Sequence, residues 1–331
     1  MKILIVASDF PSGSSTIGGG RVVYNWIRSL SRDHEIYLVS FFRPGDRDGR
    51  EEMTDYCREV ITVPARRSPG EKLKSIFLLG RHPFPVAATR SKHLSALIND
   101  VVKRNKIDLV QFNHLHLGQY IRETADGPAR VIFYPDIVSN VRRQQVRIAT
   151  GLKKYFYYRE WKLSRYWEKW YAIWAGNVFV ISSKDRRMVE SWDIGVETAT
   201  LPVLVDDTLF ELDRGRAGPD TILFIGALHR MVNIDAVTSL KKNILPRVIE
   251  EYPRIKCLIV GAGPGQSIRR MESDNFIVTG RVEDIRPYYQ KATMMVAPLR
   301  VAGGILIKIV DAMAAGIPVI TSRTANAGIG A

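Results

Sequence analysis

The stretch APLRVAGGILIKIVDAMAAGIPVITS, residues 297–322, decides how the chain folds. Short apolar runs bracket it: a strand enters as MMVAPL (294–299) and another leaves as IPVITS (317–322). Between them Gly303 and Gly304 make a turn, and 304–315 has the spacing of a helix. Strand, glycine turn, helix, strand is the building unit of a parallel sheet. Lys308 lies one turn past the glycines and Asp311 three residues further, so the two share a helix face. Helix-start amides with Lys308 suit a diphosphate, and Asp311 can accept from two sugar hydroxyls. A solvated Lys–Asp pair worth a few tenths of a kcal/mol fits the same residues equally well.

The alternation extends back to residue 221. TILFIGAL (221–228) is a strand ending in Gly226, a helix covers about 233–249, and KCLIVGAGPG (256–265) is a strand running into a glycine turn. FIVTGRV continues it after residue 275. Gly261, Gly263 and Gly265 invite a dinucleotide-binding reading, and with it a flavin or nicotinamide oxidoreductase as an alternative. Against that, the fingerprint places its third glycine at 266, where Gln266 stands, and Pro264 interrupts the run.

The chain opens in the same way. KILIVAS (2–8) is a strand, PSGSSTIGGG a loop, 21–31 a helix and EIYLVSF (35–41) a strand. Gly18, Gly19 and Gly20 precede that helix, as an anion cradle or as a plain connection. Further strands are expected at 107–113, 130–134 and 177–183, with a long helical region at 141–174. ETATLPVLVDDTLFELDRGRAGPD (197–220) is rich in turn formers and acids. The expected fold is α/β: two Rossmann-like, doubly wound parallel-sheet domains facing a cleft, at 1–198 and 220–331, with 199–219 as linker. Ligands then belong at the carboxyl ends of the strands.

Composition narrows the class. With 331 residues, 46% hydrophobic and 25% charged, the chain has room for two ordinary domains and is not a disordered one. No apolar run reaches the roughly 18 residues of a membrane span. KILIVA is read as a first strand and not as a signal peptide, because Asp9 and Pro11 follow at once. Cys57 and Cys257 stand too far apart for a disulfide framework or a cysteine-built zinc site, which fits a cytoplasmic protein. The net charge is +14, and residues 1–200 carry +11 of it. Within 141–170 nine basic residues face two acids. The segment 141–174 also holds ten aromatics, including Trp161, Trp167, Trp170 and Trp174. Leu163, Trp167, Trp170 and Trp174 share a helical face, so the segment is either a core-facing stripe with a solvated basic back or a helix leaning on an anionic membrane. Nucleic acid is not expected, since no recognition motif accompanies the charge.

Taken together, GGILIKIVDAMAAGIPVITS, KILIVASDFPSGSSTIGGGRVVYNWIRSLS, LFIGAL, IVGAGP and VTGRVEDIRPYYQKATMMVAPL resemble the GT-B-fold glycosyltransferases of group 1 (family 4). The exopolysaccharide-type sugar transferases are the nearest in character. The resemblance runs over nearly the whole chain, in order. It implies a retaining, metal-independent transfer of a sugar from a nucleotide diphosphate sugar to a glycan or lipid-linked acceptor, with no resident cofactor. It places Asp311 on the nucleotide ribose and Lys308, Gly303 and Gly304 on the diphosphate. Gly19 and Gly20 approach the leaving phosphate, and Arg230 and Gly263 complete the donor side. A cytoplasmic enzyme, peripheral on a membrane face, is the expected setting.

Departures from the family pattern are visible. Gly303 stands where many relatives carry an acid, and Ala227 and Val232 where they often carry Arg and Lys, leaving Arg230 as the nearby charge. Pro135 replaces a histidine, with Asp136 after it. His114, paired with His116 in LVQFNHLHLGQY, is therefore the candidate catalytic histidine, and Asp136 the second candidate. A packed or surface histidine pair remains the alternative. So does a nucleotide-binding protein that has lost transfer. Asp46 and Asp48 form a DxD-like match in a Gly/Arg-rich loop, read as solvated surface. The sequence stops soon after the last strand, so the second domain is expected to be truncated or unusually short.

Overall fold

The computed structural model describes residues 1–13, 18–42, 47–64, 80–124, 126–213 and 220–330. Asp46 and much of the first glycine-rich loop lie outside these residues, as does part of the expected linker. The chain divides into two compact units, with the division between Pro202 and Val203.

The first unit is built on seven parallel strands: β1 (Lys2–Ala7), β2 (Glu35–Phe42), β3 (Glu59–Pro64), β4 (Leu109–Asn113), β5 (Ala129–Tyr134), β6 (Asn177–Val180) and β7 (Glu197–Thr200). Their order is β3-β2-β1-β4-β5-β6-β7. The two-residue period of a strand sends its apolar side chains to both faces. Leu4 and Val6 pack with Val110, Phe112 and Ile132 on one side. Ile3, Ile5 and Ala7 pack with Val23 and Ile27 of the helix Gly18–Leu30 on the other. A strand covered on both faces must read as one continuous apolar run, as KILIVA does.

The second unit repeats the design with β8 (Thr221–Ile225), β9 (Lys256–Val260), β10 (Phe276–Gly280), β11 (Met294–Ala297) and β12 (Val319–Thr321), in order β10-β9-β8-β11-β12. Ile222 and Phe224 enter one core and Leu223 and Ile225 the other. Both cysteines are free and buried. Among the described residues no helix is long and apolar enough to cross a membrane.

Several elements differ from the sequence expectation. The glycines at 18–20 are the first turn of their helix and do not precede it. The helical region at 141–174 is a hairpin of two helices, Val138–Ile148 and Gly151–Ala175, broken where Gly151 takes φ +56°. Gly176, at φ +77°, ends the longer one with a left-handed cap. That helix buries Glu160, Ser164, Glu168, Tyr171, Ala172 and Ala175, while Trp170 stays exposed and Trp167 and Trp174 only lean on the core. The region near 233–249 is a helix (Met231–Ser239), one wider turn (Leu240–Ile244) and a second helix (Leu245–Glu251). β3 was not anticipated, nor was β7, which pairs with β6 and carries the first unit past residue 198.

Candidate functional site

In the second sheet the strand order reverses between β8 and β11, and the carboxyl ends of these two strands are where a doubly wound sheet takes its ligand. β8 runs into Gly226–Arg230 there, and β11 into the loop that holds Arg300, Gly303 and Gly304. Asn233 is the buried hinge of the arrangement. Its Nδ2 donates to the Ala227 carbonyl at 2.9 Å, and its Oδ1 accepts from Lys308 Nζ at 3.0 Å. Gly226 makes room for it, since a Cβ there would lie 2.8 Å from the Asn233 amide. Lys308 Nζ also stands 4.5 Å from the centre of the Phe224 ring. Lys308 retains some exposed surface. Its ammonium is nonetheless disfavoured: burial, and then the charge of Arg230, pull its pKa from 10.5 down to about 7. Two cationic side chains thus act on one another here, an arrangement that an anion would relieve.

The glycine pair sits differently from the expectation. Gly303 and Gly304 lie in the loop, and the helix starts only at Ile307 behind Leu306, with no side chain capping it. The amides at the helix start are therefore those of Ile307 and Lys308. Gly304 takes φ +56°. A Cβ on Gly328 would come within 1.8 Å of the Gly304 carbonyl oxygen, so two glycines let the end of the chain brace this loop. Asp311 is on the same helix as Lys308 and only 2% exposed. A ligand hydroxyl reaching it would meet a carboxylate with almost no water to displace. Gly263, at φ +69°, packs on His229, and Gly261 lies against the Gly226 carbonyl, where a Cβ would stand 1.9 Å away. These glycines join strand ends to one another. Arg300 was missed from the sequence. Its Nε donates to Asp235 Oδ2 at 2.8 Å and its second arm to Oδ1, tying the β11 exit to the helix Met231–Ser239.

The first sheet has its own reversal, between β1 and β4. Asn113 ties the two strand ends together: its Nδ2 donates to the Val6 carbonyl at 2.7 Å, and Gln111 Nε2 donates to its Oδ1 at 2.9 Å. His114 follows at φ +75°, a conformation that costs a non-glycine residue energy, and its N–H donates to the Phe133 carbonyl at 2.8 Å. The ring is thereby placed beside Gly19, where a Cβ would lie 3.0 Å from Nε2. His114 and His116 stack at 5.4 Å. The cause is not the alternation of an extended segment, because Leu115–Glu123 is a 3₁₀ helix. Pro135 is buried after β5.

Asp136 lies among other acids. Its charge acts on Glu168 and Asp185, both fully buried. Burial pushes Glu168 up to about 8, and Asp136 adds to it, against the hydrogen bond from the Ser139 amide at 3.1 Å. Burial also raises Asp185, which Ser182 Oγ contacts at 2.6 Å.

Residues 219–330 match the family described as "Glycosyl transferases group 1". No curated protein matches the chain. Solved structures do. Sucrose-phosphate synthase from Thermosynechococcus elongatus aligns with a TM-score of 0.71 at 17% identity, over 99% of this chain and 83% of that one. HepE from Anabaena, solved in complex with UDP, aligns with a TM-score of 0.62 at 13% identity, over 99% and 82%. α,α-Trehalose 6-phosphate synthase from Burkholderia multivorans aligns with a TM-score of 0.61 at 9% identity, over 98% and 83%. At these identities the likeness is one of fold. The two parallel sheets have the GT-B fold of these structures, and the match to the group 1 glycosyltransferase family lies in the second unit.

Proposed function

We propose that the chain transfers a sugar, with retention, from a nucleotide diphosphate sugar to a glycan or lipid-linked acceptor. The observation that carries this reading is the Lys308–Asn233 bond beside Arg230, at the reversal of a sheet that matches a group 1 glycosyltransferase domain. Lys308, Arg230 and the amides of Ile307 and Lys308 hold the diphosphate. Their positive charge stabilises the leaving group as the glycosidic bond breaks, so the reaction needs no metal. Asp311 accepts from the ribose hydroxyls. In the first unit, His114 offers a ring nitrogen to the sugar or acceptor, with Asp136, just past the neighbouring strand β5, as the second candidate. HepE was solved with UDP and, in another structure, with UDP and glucose, which makes a uridine nucleotide the first donor to try.

A thermal-shift screen of the full chain against UDP, GDP, ADP, NAD and FAD tests the donor class. One nucleoside diphosphate raising the melting temperature without magnesium supports the reading, by roughly 2.7 kcal/mol of stabilisation at a hundred times Kd. A shift with NAD or FAD alone overturns it.

A further inference from the structure

We infer that the tip of the helical hairpin in the first unit docks on an anionic lipid surface. Leu152, Tyr155 and Phe156 begin the longer helix and are 87%, 75% and 46% exposed. Their i, i+3, i+4 spacing puts them on one face. Ile148, at the end of the shorter helix, is 42% exposed beside the break. Every residue from 151 to 156 is exposed, so this face has no core to pack on. The same side of the helix carries Trp167 and Trp174 three to five turns later, where they lean on the core; at the tip it is bare.

Charge selects the occupant. Arg147, Lys153 and Lys154 surround the apolar side chains, and no acid occurs between Asp136 and Glu160. Further along, Arg142 lies 5.8 Å from the Tyr157 ring and Lys162 4.9 Å from Trp161, so cations and aromatic faces alternate up the hairpin. A second copy of the tip would set basic against basic. Nucleic acid would leave Ile148 and Leu152 in water. An anionic bilayer satisfies both features, taking the aliphatic and aromatic groups into its interface and the cations onto its headgroups. The inference deepens the reading of a lipid-linked acceptor and rests on it for its purpose, but its test does not need sugar transfer.

The test is co-sedimentation of the full chain with phosphatidylglycerol/phosphatidylethanolamine vesicles and with phosphatidylcholine vesicles. The chain is expected to pellet with the anionic vesicles only, and to be released by salt. The variant Leu152→Glu/Tyr155→Glu/Phe156→Glu should bind at least about tenfold more weakly. A second variant, Lys153→Gln/Lys154→Gln, should bind about 25-fold more weakly, at roughly fivefold per charge near the surface, which keeps the test decisive if the first variant folds poorly. Equal pelleting by both variants, or none by the native chain, overturns the proposal. So does a native dimer that the triple substitution turns into monomers without any vesicle binding. A chain that binds vesicles yet binds no nucleotide sinks the transferase reading and leaves this one standing.

Discussion

With Lys308 on the diphosphate, as proposed, donor binding should depend on pH. The lysine has its folded pKa lowered from 10.5 to about 7, so it is charged below neutrality and loses its proton above it. A bound diphosphate favours the ammonium and raises that value. Affinity is therefore full below about pH 7 and falls as pH rises through the pKa of the complex. Titrations of UDP at pH 6 and 8.5 check this, and equal affinity would contradict it. His114 makes a different prediction. Its strained backbone places its ring beside Gly19. His114→Ala should lower kcat about a hundredfold, the usual worth of one polar group aimed at developing charge, with donor affinity unchanged. Steady-state kinetics with nucleotide binding measured alongside separate these outcomes. Lys308 and Asp311 were legible because helical spacing displays them together. Arg300 was not, because its partner Asp235 lies 65 residues away and leaves no local pattern.

The loop from Gly303 to the start of the helix Ile307–Ala314 owes its shape to contacts from elsewhere. Gly328→Ala forces a methyl onto the Gly304 carbonyl and should cost about 1–3 kcal/mol, with weaker nucleotide binding as the loop moves. Urea unfolding reads the first effect and calorimetry the second. The long helix Gly151–Ala175 carries a separate pH signature in Glu168. Its folded pKa is raised from 4.5 to about 8, so its contribution to stability is present below 4.5 and lost as pH rises through 8. Glu168→Gln removes that loss. The variant should gain on the native chain by at most about 1.4 kcal/mol per pH unit across this window, as melting curves will show. A constant difference between the two would place the charge elsewhere. The sequence pointed to one continuous helix here because basic and apolar residues occur on both sides of the short Ala149-Thr150-Gly151 break. A single left-handed glycine at 151 breaks it. The buried Glu160, Ser164 and Glu168 were equally hidden, since polar residues on a helix normally read as its wet side.

Both sheets were legible for one physical reason. Strands buried on two faces must be apolar along their buried length, and β1, β8 and β9 are so after their first residue. The half-exposed β3 and the short edge strand β7 lack that signature and were missed. The charge asymmetry read from the sequence has its counterpart in the first unit, where the basic hairpin projects its apolar tip. The donor reading depends on the second unit alone, through Lys308, Asn233 and Arg230. Its most direct test is a calorimetric titration of UDP into the full chain and into its Lys308→Ala variant at pH 6.5, without added metal. Loss of one charged contact of about 1.5–3 kcal/mol predicts affinity ten- to a hundredfold weaker in the variant. Equal affinity in the two proteins would contradict the assignment of this site to the diphosphate.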